Sequence, residues 1–286
     1  MRTLLFLFSI ITFLIAQDEF IGDNFQNGSV DYGNRTIQAI GIGFIPENVI
    51  NAGQARRSAM RIAKQDALRQ LIEIVNGVNV TSETTVSGAM FDDVIKTQVQ
   101  GAIRGARRVG EPKYLSDTSV EVTYEVKMED ISRVLLPIAD KAPTLQYDDT
   151  IIANAGPSDR DNISYEASNG QGSGSVTGII IDGTGLGLRP AMAPRILSQS
   201  GSIVYGPGQY NRDYATSNGV AGYAKSMNQA KSDSRVQGNP LVIKGISTSG
   251  TSSTDLVVSD SDAGKIVRAD GSHGLLNNCR VMFLLD

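Results

Sequence analysis

Between residues 141 and 175 the chain loses the pattern of a folded core. Pro, Asp, Asn, Ser and Gly dominate, and the stretch ends Gly170-Gln171-Gly172-Ser173-Gly174-Ser175. Such a composition buries too little apolar surface to offset the entropy of ordering it. The segment therefore reads as a disordered linker. A chain interrupted there must build its core on either side, over 35–140 and over 176–286. A length of 286 residues fits two domains.

The first flank opens with Thr36–Gly43, an alternating strand pattern ending in glycine. Pro46 and Asn48 introduce a helix over about 49–75. Its apolar positions Ala52, Ala55, Ala59, Ala63, Ala67, Leu71 and Ile74 recur at helical spacing. So many alanines imply close approach to a sheet or to another helix. Val78–Val86 is β-branched and predicts a strand, 91–103 a second helix, and 106–115 a further strand. Ser119–Met128 alternates cleanly, so one face is buried and the other solvated. Residues 130–139 read as a short helix ended by Pro137. The order is β-α-β-α-β-β, an α+β layer. Residues 17–34, polar and acidic, read as a flexible segment.

In the second flank, Val176–Asp182 predicts a buried strand, followed by a turn through Gly183, Gly185 and Gly187. Ser202–Tyr205, Pro240–Ile246, Asp255–Val258 and Cys279–Leu285 predict strands. A helix is expected over 213–231, weakened by Gly219 and Gly222. Ser259-Asp260-Ser261-Asp262 supplies helix-start chemistry before Ala263–Ala269. The fold class is α+β: a β-α-β-α-β-β module, a linker, and a mixed-sheet module.

Composition narrows the chemistry. Lys+Arg total 26 and Asp+Glu 30, so a general nucleic-acid binder is not expected. His273 and Cys279 are single residues of their kinds, which excludes an intramolecular disulfide and a zinc site of the usual His and Cys type. A Ser-His-Asp triad would depend on His273, which lies in a turn-like Asp270–Gly274. Cys279 sits on an apolar strand and reads as a buried thiol. Asp182-Gly183-Thr184-Gly185-Leu186-Gly187 invites a phosphate-loop reading, because glycines let backbone N–H groups approach an anion. It lacks the lysine of a nucleotide loop, prolines follow it, and a structural turn is the simpler reading. Arg56, Arg57 and Arg61 on the first helix, with Arg104, Arg107 and Arg108, would suit an acidic partner. Over 35–140, however, Lys+Arg and Asp+Glu are both 13, so solvated faces explain them. No catalytic, cofactor or metal residues are assigned.

At the N-terminus, Arg2 precedes an apolar run, Leu4–Ile15, closed by Ala16 and followed by acidic residues. This is the layout of a secretory signal peptide over 1–16. The run is shorter than the ~20 residues of a spanning helix. The absence of a cysteine beside Ala16 argues against a lipid anchor there.

Several segments then carry a family resemblance: Gln54-Ala55-Arg56-Arg57-Ser58-Ala59, Ala63–Leu71, Gly77-Val78-Asn79-Val80 and Val99–Ala106. Together they resemble the small envelope-lipoprotein family called LPP-twenty and the N-terminal domain of flagellar assembly protein T, over about 35–135. Residues 177–195 resemble a second module of exported bacterial proteins that carry the first. The resemblance implies a periplasmic or outer-membrane setting and a non-enzymatic, structural or assembly role. Expected partners are other envelope proteins or peptidoglycan, with peripheral membrane association and homo-oligomer formation both open. Two alternatives stand beside it: a periplasmic small-ligand-binding module using the 182–195 turn, and an exported hydrolase.

Overall fold

The computed structural model describes residues 20–45, 51–116, 118–139 and 175–286. The expectations for residues 1–16 and for nearly all of 141–175 lie outside the described residues. Helices and several sheets make the fold α+β.

The first module contains β1 (Gly22–Phe25), β2 (Gly28–Asp31), β3 (Thr36–Gly43), α1 (Ala52–Gly77), α2 (Val86–Ala89) and α3 (Asp93–Arg104). It continues with β4 (Arg107–Tyr114), β5 (Val120–Lys127) and α4 (Met128–Ala139). Its five-stranded sheet runs β1-β2-β3-β5-β4 and is antiparallel throughout. The alanine stripe of α1 lies on this sheet. A Cβ added to Gly41 would come within 2.2 Å of the Ala63 carbonyl oxygen, and one added to Gly43 within 2.0 Å of that of Ala59. Glycine on the strand and alanine on the helix thus bring the two backbones into contact. Farther along α1, Leu71, Ile74 and Val75 change to full-sized side chains and meet Val99, Ile103, Ile131 and Leu135. Each such buried side chain contributes roughly 1.5–3 kcal/mol. Asn51 caps α1 by accepting from the Gln54 amide at 2.8 Å, and Asp92 caps α3 in the same manner.

Three expectations for this module need correction. Residues 22–31 are a hairpin paired to β3, not a flexible tail. Glycine hides the hairpin in the sequence, since a Cβ on Gly22 or Gly28 would strike a neighbouring strand. Residues 78–86 form a tight buried loop with one bridge, Asn79 to Thr85, rather than a ladder strand. Its β-branched residues reflect burial, with Val78 and Val80 both in the core. Pro137 does not end α4, which continues to Ala139.

The second module contains β6 (Ile179–Asp182), β7 (Ile196–Ser198), β8 (Ile203–Tyr205), α5 (Arg212–Asn218), β9 (Gly222–Ala224) and α6 (Met227–Ser232). Then follow β10 (Leu241–Lys244), β11 (Ser247–Ser249), β12 (Asp255–Val258), α7 (Asp260–His273) and β13 (Val281–Leu284). One sheet, β10-β6-β13-β9, is wholly parallel. The other, β11-β12-β7-β8, is mixed. Central strands of a parallel sheet are covered on both faces, which explains the unbroken apolar runs Ile179-Ile180-Ile181 and Val281–Leu284. The helix expected over 213–231 is broken in two. Gly219, at φ +85, stops α5, and β9 intervenes before α6. Asp270–His273, expected as a turn, is the last turn of α7, with Gly274 as its left-handed cap.

The modules are not separate bodies. One buried cluster runs from Ile21, Tyr32, Leu71 and Leu135 to Tyr223, Leu256 and Phe283. The Asn79 and Val80 carbonyls accept from the Met192 and Ala193 amides at 2.9 and 2.8 Å. The 78–86 loop is thus paired to the second module. No helix among the described residues is long and apolar enough to cross a membrane.

Candidate functional site

Two features dominate the seam between the modules. The first is dry. Asp255 opens β12 and is fully buried. Its Oδ1 accepts from the Arg195 amide at 3.0 Å, and its Oδ2 accepts from Arg195 Nε at 2.7 Å and from the Ser82 hydroxyl at 2.5 Å. Arg195 also donates to Ser82 Oγ at 2.7 Å. A buried carboxylate is tolerated only when paired and hydrogen-bonded. Ser82 of the first module completes a shell that the second module cannot close alone.

The second feature is a cleft of about 510 Å³ that continues into a recess of about 360 Å³. Both are lined by Asn34, Arg35, Asp233 and Arg235. Arg35 stands in the turn between β2 and β3 with φ +54. It donates to the Thr216 carbonyl at 2.9 Å and to that of Ser217. Arg235 donates to the carbonyls of Asn218, Gly219 and Cys279. Two guanidinium groups from different modules therefore cap the C-terminal end of α5, where the backbone carries partial negative charge. Gly219 and Gly222 make room for them, since a Cβ at either would lie 3.1 Å from the Nε of Arg35 or Arg235 respectively. Burial, and next the charge of Arg235, lower the pKa of Arg35. Lys127, Arg107, Glu129 and Tyr214 complete the rim.

Tyr223 lies between the two features. Its hydroxyl donates to the Ala191 carbonyl at 2.8 Å and accepts from the Ala191 amide at 3.0 Å. Its ring meets Tyr32 of the first module edge to face at 5.7 Å. Burial is the main cause holding both phenols well above the usual tyrosine range.

Of the residues weighed from the sequence, Arg107 lines the cleft and Arg195, at the end of the 182–195 turn, joins the buried contact, while the others fall elsewhere. In the 182–195 turn, Asp182 Oδ1 accepts from Thr184 Oγ1 at 2.6 Å. The glycine amides do cradle an anion, but it is the chain's own carboxylate. Asp286 accepts from Gly185 N at 2.5 Å and from Gly187 N at 3.3 Å. His273 Nε2 lies 2.7 Å from Ser175 Oγ, with both residues exposed and lining neither cavity. Cys279 is buried, and burial raises its thiol pKa. Arg56 lies over the Tyr114 ring at 4.9 Å, while Arg107 pairs with Glu125 at 2.7 Å. Among the described residues no group of three or more His, Cys, Asp or Glu gathers at metal-binding distance. Sequence reading passed over Arg35, Ser82, Arg235 and Asp255 as site residues, and reached Arg195 only as the end of the 182–195 turn. Only Asp255, a carboxylate opening an apolar strand, carried a local signal.

A family model describing the second domain of Treponema pallidum Tp0624 matches residues 178–286, so the second module is similar to that domain. No curated protein matches the chain.

Proposed function

We propose that this is a non-enzymatic bacterial envelope protein, exported by its 1–16 segment to the periplasm or the outer membrane. It works through contacts with other envelope proteins or peptidoglycan, in the assembly of a surface structure such as the flagellum. One observation carries the contact reading: the sheet of the first module presents exposed apolar side chains opposite α1. Gly41 and Gly43 face α1, so the alternate residue Ile42 points away from it; Ile42 is 38% exposed. Val109, in register with Thr123 of β5, is 36% exposed. Just past the strand ends, Phe44 and Leu115 are 61% and 39% exposed. Exposed apolar groups of this kind, set around the Lys113–Glu121 pair that lies in register with Ile42, mark a contact surface.

The outer edge of β4 is less suited to contact. Gly110 at φ +70, a register shift between Val109 and Lys113, Pro112 and the charges of Arg107, Arg108, Glu111 and Lys113 all interrupt it. These are the devices that prevent strand addition. Partners are therefore expected to meet side chains on the sheet rather than to extend it. The export part of the reading rests on the Arg2–Ala16 pattern and on the resemblance of 35–135 to envelope proteins.

The test is cell fractionation followed by crosslinked pull-down of the wild type and of Phe44→Ser. Recovery in the envelope fraction, with partners lost in the variant, supports the reading. An unprocessed protein found only in the cytoplasm would overturn it.

A further inference from the structure

The cleft holds more positive charge than its own side chains balance. Arg107 is paired with Glu125, and Glu129 with Arg133. That leaves Arg35, Arg235 and Lys127 facing Asp233, three cations against one carboxylate. Among the described residues neither arginine has a carboxylate within ion-pair distance, and Glu129 acts on Arg35 only at longer range. Both guanidinium groups are fixed by backbone carbonyls, so the ordering cost of presenting them is met before any ligand arrives. Each keeps N–H groups beyond those bonds. Lys127 is exposed and free of ion pairs among the described residues. Neutral carbonyls alone are a poor match for two like charges brought together by the docking of two modules.

We propose that the cleft between Arg35 and Arg235 binds a small phosphate-bearing ligand, with Lys127 at its rim. A phosphate monoester carries a charge of about −1.5 to −2 at neutral pH, which matches the surplus of two. Guanidinium forks suit its oxygens. The cleft volume of about 510 Å³ lies in the range of small-molecule sites. Arg35 belongs to one module and Arg235 to the other, so ligand binding also tightens the seam. A free metabolite and a lipid headgroup present the same chemistry, and experiment separates them.

The full chain is unfolded thermally in rising glycerol 3-phosphate at constant ionic strength, with sodium chloride as the screening control. The expected result is a saturable rise in Tm with the phosphate ester and none with chloride. Lys127→Gln should fold as the wild type and raise the Kd about tenfold. Arg235→Gln should abolish the effect. If that variant does not fold, Lys127→Gln decides alone. Absence of a saturable rise, or an unchanged Kd in Lys127→Gln, would overturn the proposal. Binding to phosphatidylglycerol vesicles that glycerol 3-phosphate displaces assigns a lipid headgroup. Inert vesicles alongside binding of the free ester assign a soluble ligand.

Discussion

At Ser82 and Asp255 the seam between the modules is buried, and a carboxylate meets a guanidinium and a hydroxyl. At Arg35 and Arg235 the seam is wet, with cations that meet only carbonyl oxygens. Both contacts join the same two modules, and both are built from arginine. They differ in the counter-charge. Asp255 is fully buried and its partner Arg195 is 22% exposed, so the pair neutralises the buried charge from within the protein. The cleft is open, and its charge awaits something from outside. A polar contact that satisfies itself holds a structure together; one that does not has capacity left to bind.

The contrast yields graded expectations. Asp255→Ala removes the centre of the dry contact and leaves the Arg195 charge and the Ser82 hydroxyl without their partner. It should cost about 3–5 kcal/mol, read as a fall in urea midpoint. High pH probes the ground between the two contacts. Tyr32 and Tyr223 have folded pKa values raised above the unfolded value of 10.0. Their contribution is fully present below pH 10 and is lost as pH rises toward the folded values. By pH 11 the loss should reach roughly 1.4 kcal/mol per phenol, seen as a falling Tm that Tyr32→Phe reduces. Arg35→Gln at the wet contact should cost only about 1 kcal/mol, because water can reach the carbonyls it leaves. A cost equal to that of Asp255→Ala would erase the distinction. Lys127→Gln should change stability by less than ~0.5 kcal/mol.

Local pattern revealed the elements whose neighbours lie nearby in the chain. The alanine repeat of α1, the alternation of β5 and the Ser259 cap of α7 were all legible, because periodicity and capping are local. The β1–β2 hairpin was not, since its close approach to β3 is made by glycines that carry no apolar signal. The 78–86 loop misled for the opposite reason: it is apolar because another module covers it. The candidate site was hardest. Arg35 and Ser217 are 182 positions apart, and Ser82 and Asp255 are 173 apart. No spacing rule links them, and apart from Asp255, a carboxylate opening an apolar strand, each alone reads as an ordinary surface arginine or serine.

The shared core has a further consequence for the chain's behaviour as a whole. Residues 20–139 and 175–286 each present half of one apolar surface, with Tyr32 and Leu135 on one part and Tyr223 and Phe283 on the other. Each part keeps a smaller cluster of its own, but the largest is shared, so the two should melt in a single transition. Expressed as separate fragments, the two parts should therefore find each other and rebuild the same interior.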